Sequence, residues 1–243
     1  MGSYKRKTSS LSSQQFLLDK WEEPAAAAGT PHMLRIDPAF VRGDEPLEKQ
    51  MAYATEGSTE MRRRLAEVTE EQKILAFLSE HDKDAEVLEE LAHRVLYGDI
   101  PDKYERENLA DAIIKNEHAP FAVHDAFSRE KQPGVRALVA FVTKYRKVLE
   151  RLSRGNEDYQ VIESYIKNEH GLSTSKALSR LSRHKNPIVR EAVAECIRTP
   201  EKCMRILCDD EDEGVRKAAK ITLEKLIERD VAVNFFHMRR DSA

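Results

Sequence analysis

The sequence predicts an all-α protein built from repeated pairs of helices and preceded by a long polar tail. Three observations carry this. Charged residues make up 34% of the 243 positions, against nine glycines, nine prolines and 7% aromatics; no stretch alternates as a half-buried strand would. From about residue 58 onward, apolar residues recur at helical spacing almost to the end. A four-residue string, KNEH, occurs twice, at Lys115–His118 and Lys167–His170, inside longer stretches that match.

Residues 1–56 read as the tail. They are rich in Ser, Pro and Gly ("SSLSSQQ", "EEPAAAAGTPH") and poor in periodic apolar positions. Within them Phe16, Leu17, Leu18 and Trp21, the single tryptophan, have the spacing of one face of a short helix. Two readings stay open: a disordered tail, or a tail whose short apolar segments dock on a groove of this chain or of a partner.

Helical patterning then sets in. Thr69-Glu70-Glu71-Gln72 precedes "KILAFLSEH" with the spacing of a capping box, Thr69 and Gln72 satisfying each other's amides. "DAEVLEELAHRVLYG" puts Val87, Leu88, Leu91, Val95 and Leu96 on one stripe, with Gly98 as its stop. "YERENLADAIIKNEH" is a further amphipathic segment, and "PGVRALVAFVTKYRKVLERLSRG" reads as the longest helix. Val135, Leu138, Val139, Val142, Leu149 and Leu152 line one face of it, and Gly155 ends it. Asn186-Pro187 and Thr199-Pro200 are each an N-cap followed by a first-turn proline. The spacing implies about eight to ten helices of roughly 10–20 residues on short turns, which make neighbours antiparallel.

The flanks of KNEH explain its recurrence. "ENLADAIIKNEH" matches "YQVIESYIKNEH", and each is followed by a short helix ending Ser-Arg (Ser128-Arg129, Ser182-Arg183), a proline, then Val-Arg and an apolar helix. A shorter period appears when "STSKALSRLSRHKNPIVREAVAEC" is laid on "TPEKCMRILCDDEDEGVRKAAKIT": Leu178 meets Met204, Leu181 meets Leu207, Val189 meets Val215 and Arg190 meets Arg216. The repeat is therefore structural. Lys and His suit a helix C-terminus, and Asn tolerates a left-handed turn there. Arg136, Arg190 and Arg216 are expected to tie adjacent units together through carboxylates or free carbonyls.

"NPIVREAVAECIRTPEKCMRILCDDEDEGVRKAA" resembles the leucine-rich-repeat-variant and HEAT-like families of bacterial α-solenoids, whose units carry an Asp/Asn-x-x-Val-Arg-x-Ala-Ala signature after a Leu-containing helix. The likeness is good over 173–226, fair over 104–155 and weak over 58–100. It implies a right-handed α-solenoid of stacked antiparallel helix pairs. The expected layout is the tail over 1–56, a helical-repeat domain over 57–232 and a C-terminal tail over 233–243. Some members also carry an iron–sulfur centre on an N-terminal cysteine cluster. No cysteine precedes Cys196 here, so no cofactor is carried over.

Residues that carry chemistry form no recognisable constellation. HExxH, GxSxG and GxxxxGK[ST] do not occur, so no catalytic residue and no metal site is assigned and no enzyme is expected. "CDDEDEG" lacks the alternating acids of a calcium loop and reads as an acidic turn at a helix start. Cys196, Cys203 and Cys208 are an odd number without a CxxC pair, and are expected reduced and buried. No apolar run approaches the ~18 residues needed to cross a bilayer. "MGSYKRKTSS" has no apolar stretch after its basic start, which points to a cytoplasmic protein.

Charge is more informative. Between residues 131 and 190, thirteen Lys/Arg face five acids, a local balance of +8, so the rest carries −11 of the overall −3. Arg136, Lys144, Arg151, Arg154, Arg180, Arg183, Lys185 and Arg190 are candidates for a surface that binds an anionic partner. The function expected is a non-enzymatic scaffold or adaptor, a subunit of a larger assembly, that binds a protein partner. The alternative is a nucleic-acid-binding solenoid using that basic centre.

Overall fold

The structure, a computed structural model, describes Pro38 and residues 41–98, 100, 102–154 and 158–240, with 229–240 described by their backbone alone. All belong to the unit that spans Ile36–Ala243. Phe16, Leu17, Leu18 and Trp21 lie outside the described residues.

Thirteen helices and no strand occur among the described residues. They are α1 (Leu47–Glu56), α2 (Thr59–Val68), α3 (Gln72–His81), α4 (Ala85–Tyr97), α5 (Lys103–Lys115), α6 (Phe121–Phe127) and α7 (Pro133–Val142). There follow α8 (Arg146–Arg154), α9 (Tyr159–Ile166), α10 (Ser175–Leu181), α11 (Pro187–Glu195), α12 (Glu201–Leu207) and α13 (Glu213–Arg240). The all-helical class predicted from the sequence is therefore observed. No helix among the described residues is long and apolar enough to cross a membrane.

Packing follows chain order. The substantial helix–helix contacts all join helices that are adjacent in sequence or one apart. The odd-numbered helices run as one row, α1–α3–α5–α7–α9–α11–α13, each packed on the next, and α2–α4–α6 do the same beside them. α8, α10 and α12 pack on odd-numbered neighbours. Each helix buries its apolar stripe between these neighbours: Met61 and Leu65 on α2, Val87, Leu88 and Leu91 on α4, Val161, Ile162 and Tyr165 on α9. Each such side chain contributes about 1.5–3 kcal/mol on leaving water. Small residues are buried as well, as Ala192 and Ala194 on α11 and Ala219 on α13.

Several local expectations are corrected. The longest predicted helix is two, because the chain leaves helical geometry at Thr143 (ψ 134°). Tertiary partners stabilise the break. The Asn168 side-chain amide donates to the carbonyls of Ala140, Phe141 and Thr143, and the Glu169 N–H donates to Phe141. The Tyr145 hydroxyl is held by the Ala119 carbonyl at 2.9 Å. The capping box at Thr69 does not form. Thr69 is buried just past α2, donates its hydroxyl to Gln50 and accepts from the Glu71 N–H, while Gln72 reaches Glu105 on α5. Asn186 does cap α11 ahead of Pro187, but α12 starts at Glu201, one residue later than predicted. The Thr199 hydroxyl instead donates to Val193.

The helices are also more numerous and shorter than expected, three of them only seven residues long. Helical structure begins before the boundary drawn at residue 56. α1 packs on α2 and α3 with Tyr53 and Ala54 buried, and the buried Gln50 amide donates to Gly43 and Glu45. At the other end the backbone of α13 is helical to Arg240, past the boundary drawn at 233.

Candidate functional site

Much of the polar chemistry that stood out in the sequence is used to join one helix to the next. Asn116 ends α5 and donates to the carbonyls of Ser79 and Asp82, at the end of α3, at 3.0 Å each. Asn168, two residues past α9, does the same for α7. KNEH is thus an asparagine latch along the odd-numbered row, and His170 adds to it with a contact to the Val142 carbonyl. No residue other than glycine has positive φ among those described, so the left-handed asparagine expected there is not found. The left-handed position is Gly171 (φ 63°).

Among the recurrent arginines, Arg190, Arg136 and the matching Arg62 latch the other way, forward to acids that follow them in the chain. Arg190 donates to Asp210 with two 2.8 Å bonds and to the carbonyl of His184, and its side chain is 8% exposed. Arg136 pairs with Asp158, and Arg62 on α2 with Asp82 and Asp84. Arg216 holds the carbonyls of Asp210 and Glu211. The Arg190 guanidinium holds the Asp210 carboxyl below the usual carboxylate range. The acidic run around it is the turn before α13, where Asp212 caps the Val215 N–H.

Of the eight basic candidates, five bond acids or carbonyls of other helices and turns. Arg136 and Arg190 are latched as above; Arg151 pairs with Asp125 and Ser128 on α6, and Arg180 donates to the Ser153 carbonyl at 2.6 Å. Lys144 holds the Glu117 carbonyl, and Arg154 lies 3.9 Å from Glu150. Arg183 and Lys185 are exposed in the turn between α10 and α11. Of the cysteines, Cys203 is buried against Ser179, while Cys196 and Cys208 are half-buried; all three are free. Among the described residues no group of three His, Cys, Asp or Glu is placed to hold a metal ion.

A different feature stands open. α5 and α7 enclose a groove of about 380 Å³. α5 supplies Glu107, Ala110, Asp111 and Ile114, one stripe at i, i+3, i+4 and i+7; α7 and its cap supply Gln132, Pro133, Gly134, Val135 and Leu138. The volume exists because the residues opposed across it are small. A Cβ added at Gly134 would meet no atom within 4 Å. The walls are Ile114, Val135 and Leu138, and the acids stand at the rim. Glu107 accepts from Gln132 across the groove at 3.0 Å, with Lys103 3.7 Å away, and Asp111 accepts from Lys115 at 2.8 Å. One turn beyond Leu138, Phe141 is 42% exposed.

Sequence reasoning put Val135, Leu138 and Val142 on one apolar face with Val139; Val139 is buried, and the other three are half-buried. The signal that could have shown this is α7 itself. It is apolar nearly all round, whereas a helix buried on one face alone carries polar residues on the other. Comparison with known protein families, curated proteins and solved structures found no match.

Proposed function

We propose that this chain is a non-enzymatic scaffold or adaptor, a cytoplasmic subunit of a larger assembly, built as a right-handed α-solenoid of the HEAT-like kind. The observation that carries the reading is the chain-order packing: among the described residues, the substantial helix–helix contacts join near neighbours along the sequence. A stack of that kind grows along one axis and offers long faces on which a partner can lie. The likeness of residues 173–226 to leucine-rich-repeat-variant units supports the same architecture. Protein is favoured over nucleic acid because five of the eight basic candidates are occupied by the chain's own acids and carbonyls. The cluster Phe16, Leu17, Leu18 and Trp21 is, on sequence grounds, a second contact.

The test is affinity purification of the tagged full-length chain from its native cells, with and without nuclease. A protein recovered at constant stoichiometry after nuclease supports the scaffold. Loss of every partner on nuclease treatment replaces it with the nucleic-acid reading.

A further inference from the structure

We propose that the groove between α5 and α7 is a docking site for a basic amphipathic helix, one that presents two apolar anchors beside Lys or Arg. This rests on the scaffold reading above and names the chemistry of its partner.

The anchors follow from the walls. Ile114, Val135 and Leu138 surround a space of about 380 Å³ kept open by Ala110 and Gly134. From Gly134 to Phe141 the wall is two turns of helix, about 10 Å, which matches apolar side chains at i and i+3 or i+4 of an incoming helix. One anchor fills the groove and the next covers Phe141, which is otherwise left to solvent.

The charge follows from the rim. Glu107 and Asp111 face the opening from α5. Their lysine partners, Lys103 and Lys115, are one helical turn away on the same helix, with side chains 75% and 54% exposed. Such exposed pairs contribute little, so a partner's cation can take over either carboxylate, at Glu107 by also replacing the Gln132 hydrogen bond. A phosphate-bearing ligand would meet the same carboxylates with like charge and is disfavoured.

The probe is a fluorescein-labelled 14-residue helical peptide with Leu at i, i+3, i+4 and i+7 and Lys elsewhere, titrated with the full-length protein and followed by anisotropy. A Leu/Glu peptide of the same pattern and a single-stranded oligonucleotide serve as comparisons. The Leu/Lys peptide is expected to bind saturably and the other two much more weakly. Gly134→Trp, which fills the groove, and Leu138→Glu are each expected to weaken binding about tenfold or more, as loss of a central anchor does. Gly134→Ala adds one methyl in open space and is expected to keep binding, and its melting curve alongside that of Gly134→Trp confirms that both are folded. The double change Glu107→Gln, Asp111→Asn is expected to weaken binding severalfold.

Unchanged Leu/Lys affinity in folded Gly134→Trp, or equal affinity for the Leu/Glu peptide, overturns the assignment. A native partner that survives nuclease and is retained by Gly134→Trp overturns the groove while leaving the scaffold standing. Absence of any nuclease-resistant partner overturns the scaffold itself.

Discussion

Asn168 is 2% exposed, and its one amide group serves three carbonyls at the end of α7. Asn168→Ala takes the buried side-chain donor from Ala140 and Thr143, while Phe141 keeps the Glu169 N–H. It is expected to cost about 1–3 kcal/mol in urea denaturation, and Asn116→Ala, at a half-buried site, less. His124 on α6 makes a different case. It is 4% exposed, its Nδ1 has no hydrogen-bond partner, and its ring packs edge-on against Tyr145. Burial, with Lys144 and His170 nearby, lowers its pKa from 6.5 to about 4. The unfolded chain therefore binds this proton first as pH falls, and the folded state loses stability from pH 6.5 down to about 4. The loss between pH 7 and pH 5 is expected to be about 2 kcal/mol. His124→Leu removes the titrating group, so its stability should change less over that interval; an unchanged difference would count against a buried neutral His124. Asp210 acts in a lower window. Its depressed carboxyl pKa adds stability above the unfolded value, and that contribution disappears as pH falls through the folded one. Asp210→Asn should flatten the acid limb below about pH 4.

At the scale of helices, α1 closes the N-terminal end of the described stack. Tyr53 is 1% exposed and Gln50 is fully buried, linking Gly43, Glu45 and Thr69. Removing the ring in Tyr53→Ala is expected to cost about 3 kcal/mol, the range for deleting a large buried side chain. A loss below roughly 0.5 kcal/mol, the scale of surface changes, would mean that α1 does not cap the stack. Patterning identified the amphipathic helices α4 and α5, because each carries a clean stripe and its own start and stop residues. α1 escaped notice because its flanks, "RGDEP" before it and Gly57 after it, have the composition of a loop. The division of α7 from α8 was equally hidden. "AFVTKYRKV" continues a helical pattern, and the donors that end α7 come from Asn168 and Glu169, more than twenty residues on. Periodicity reports on one helix and carries no trace of a distant hydrogen bond.

At the scale of the whole molecule, the substantial helix–helix contacts among the described residues join near neighbours, and stability is expected to take the form of a sum along the chain, with terms for each helix pair and each joint. Deleting α12 and α13, residues 199–243, is expected to leave the remaining helices folded, with a lower denaturant midpoint and a smaller m-value by circular dichroism. Loss of all helical signal would show a single interdependent core. The expectation differs from that of a compact bundle, where each helix touches most others.

The amino-acid sequence alone determined the helical class, the repeated unit and the recurrent Val-Arg step, since spacing, caps and duplication are properties of neighbouring residues. It also marked the KNEH repeat, Arg136, Arg190 and Arg216 as structural; Asn116, Asn168, Arg136 and Arg190 reach another helix or its turn, while Arg216 holds the turn before its own helix. Tertiary structure decided where those latches reach, where α7 ends, and that five of the eight basic candidates bond the chain's own acids or carbonyls. It also decided that Gly134 and Ala110 line one groove while Leu138 stays half-buried. The reason is physical: a gap between two helices depends on side chains more than twenty positions apart, and only their packing sets how much space is left.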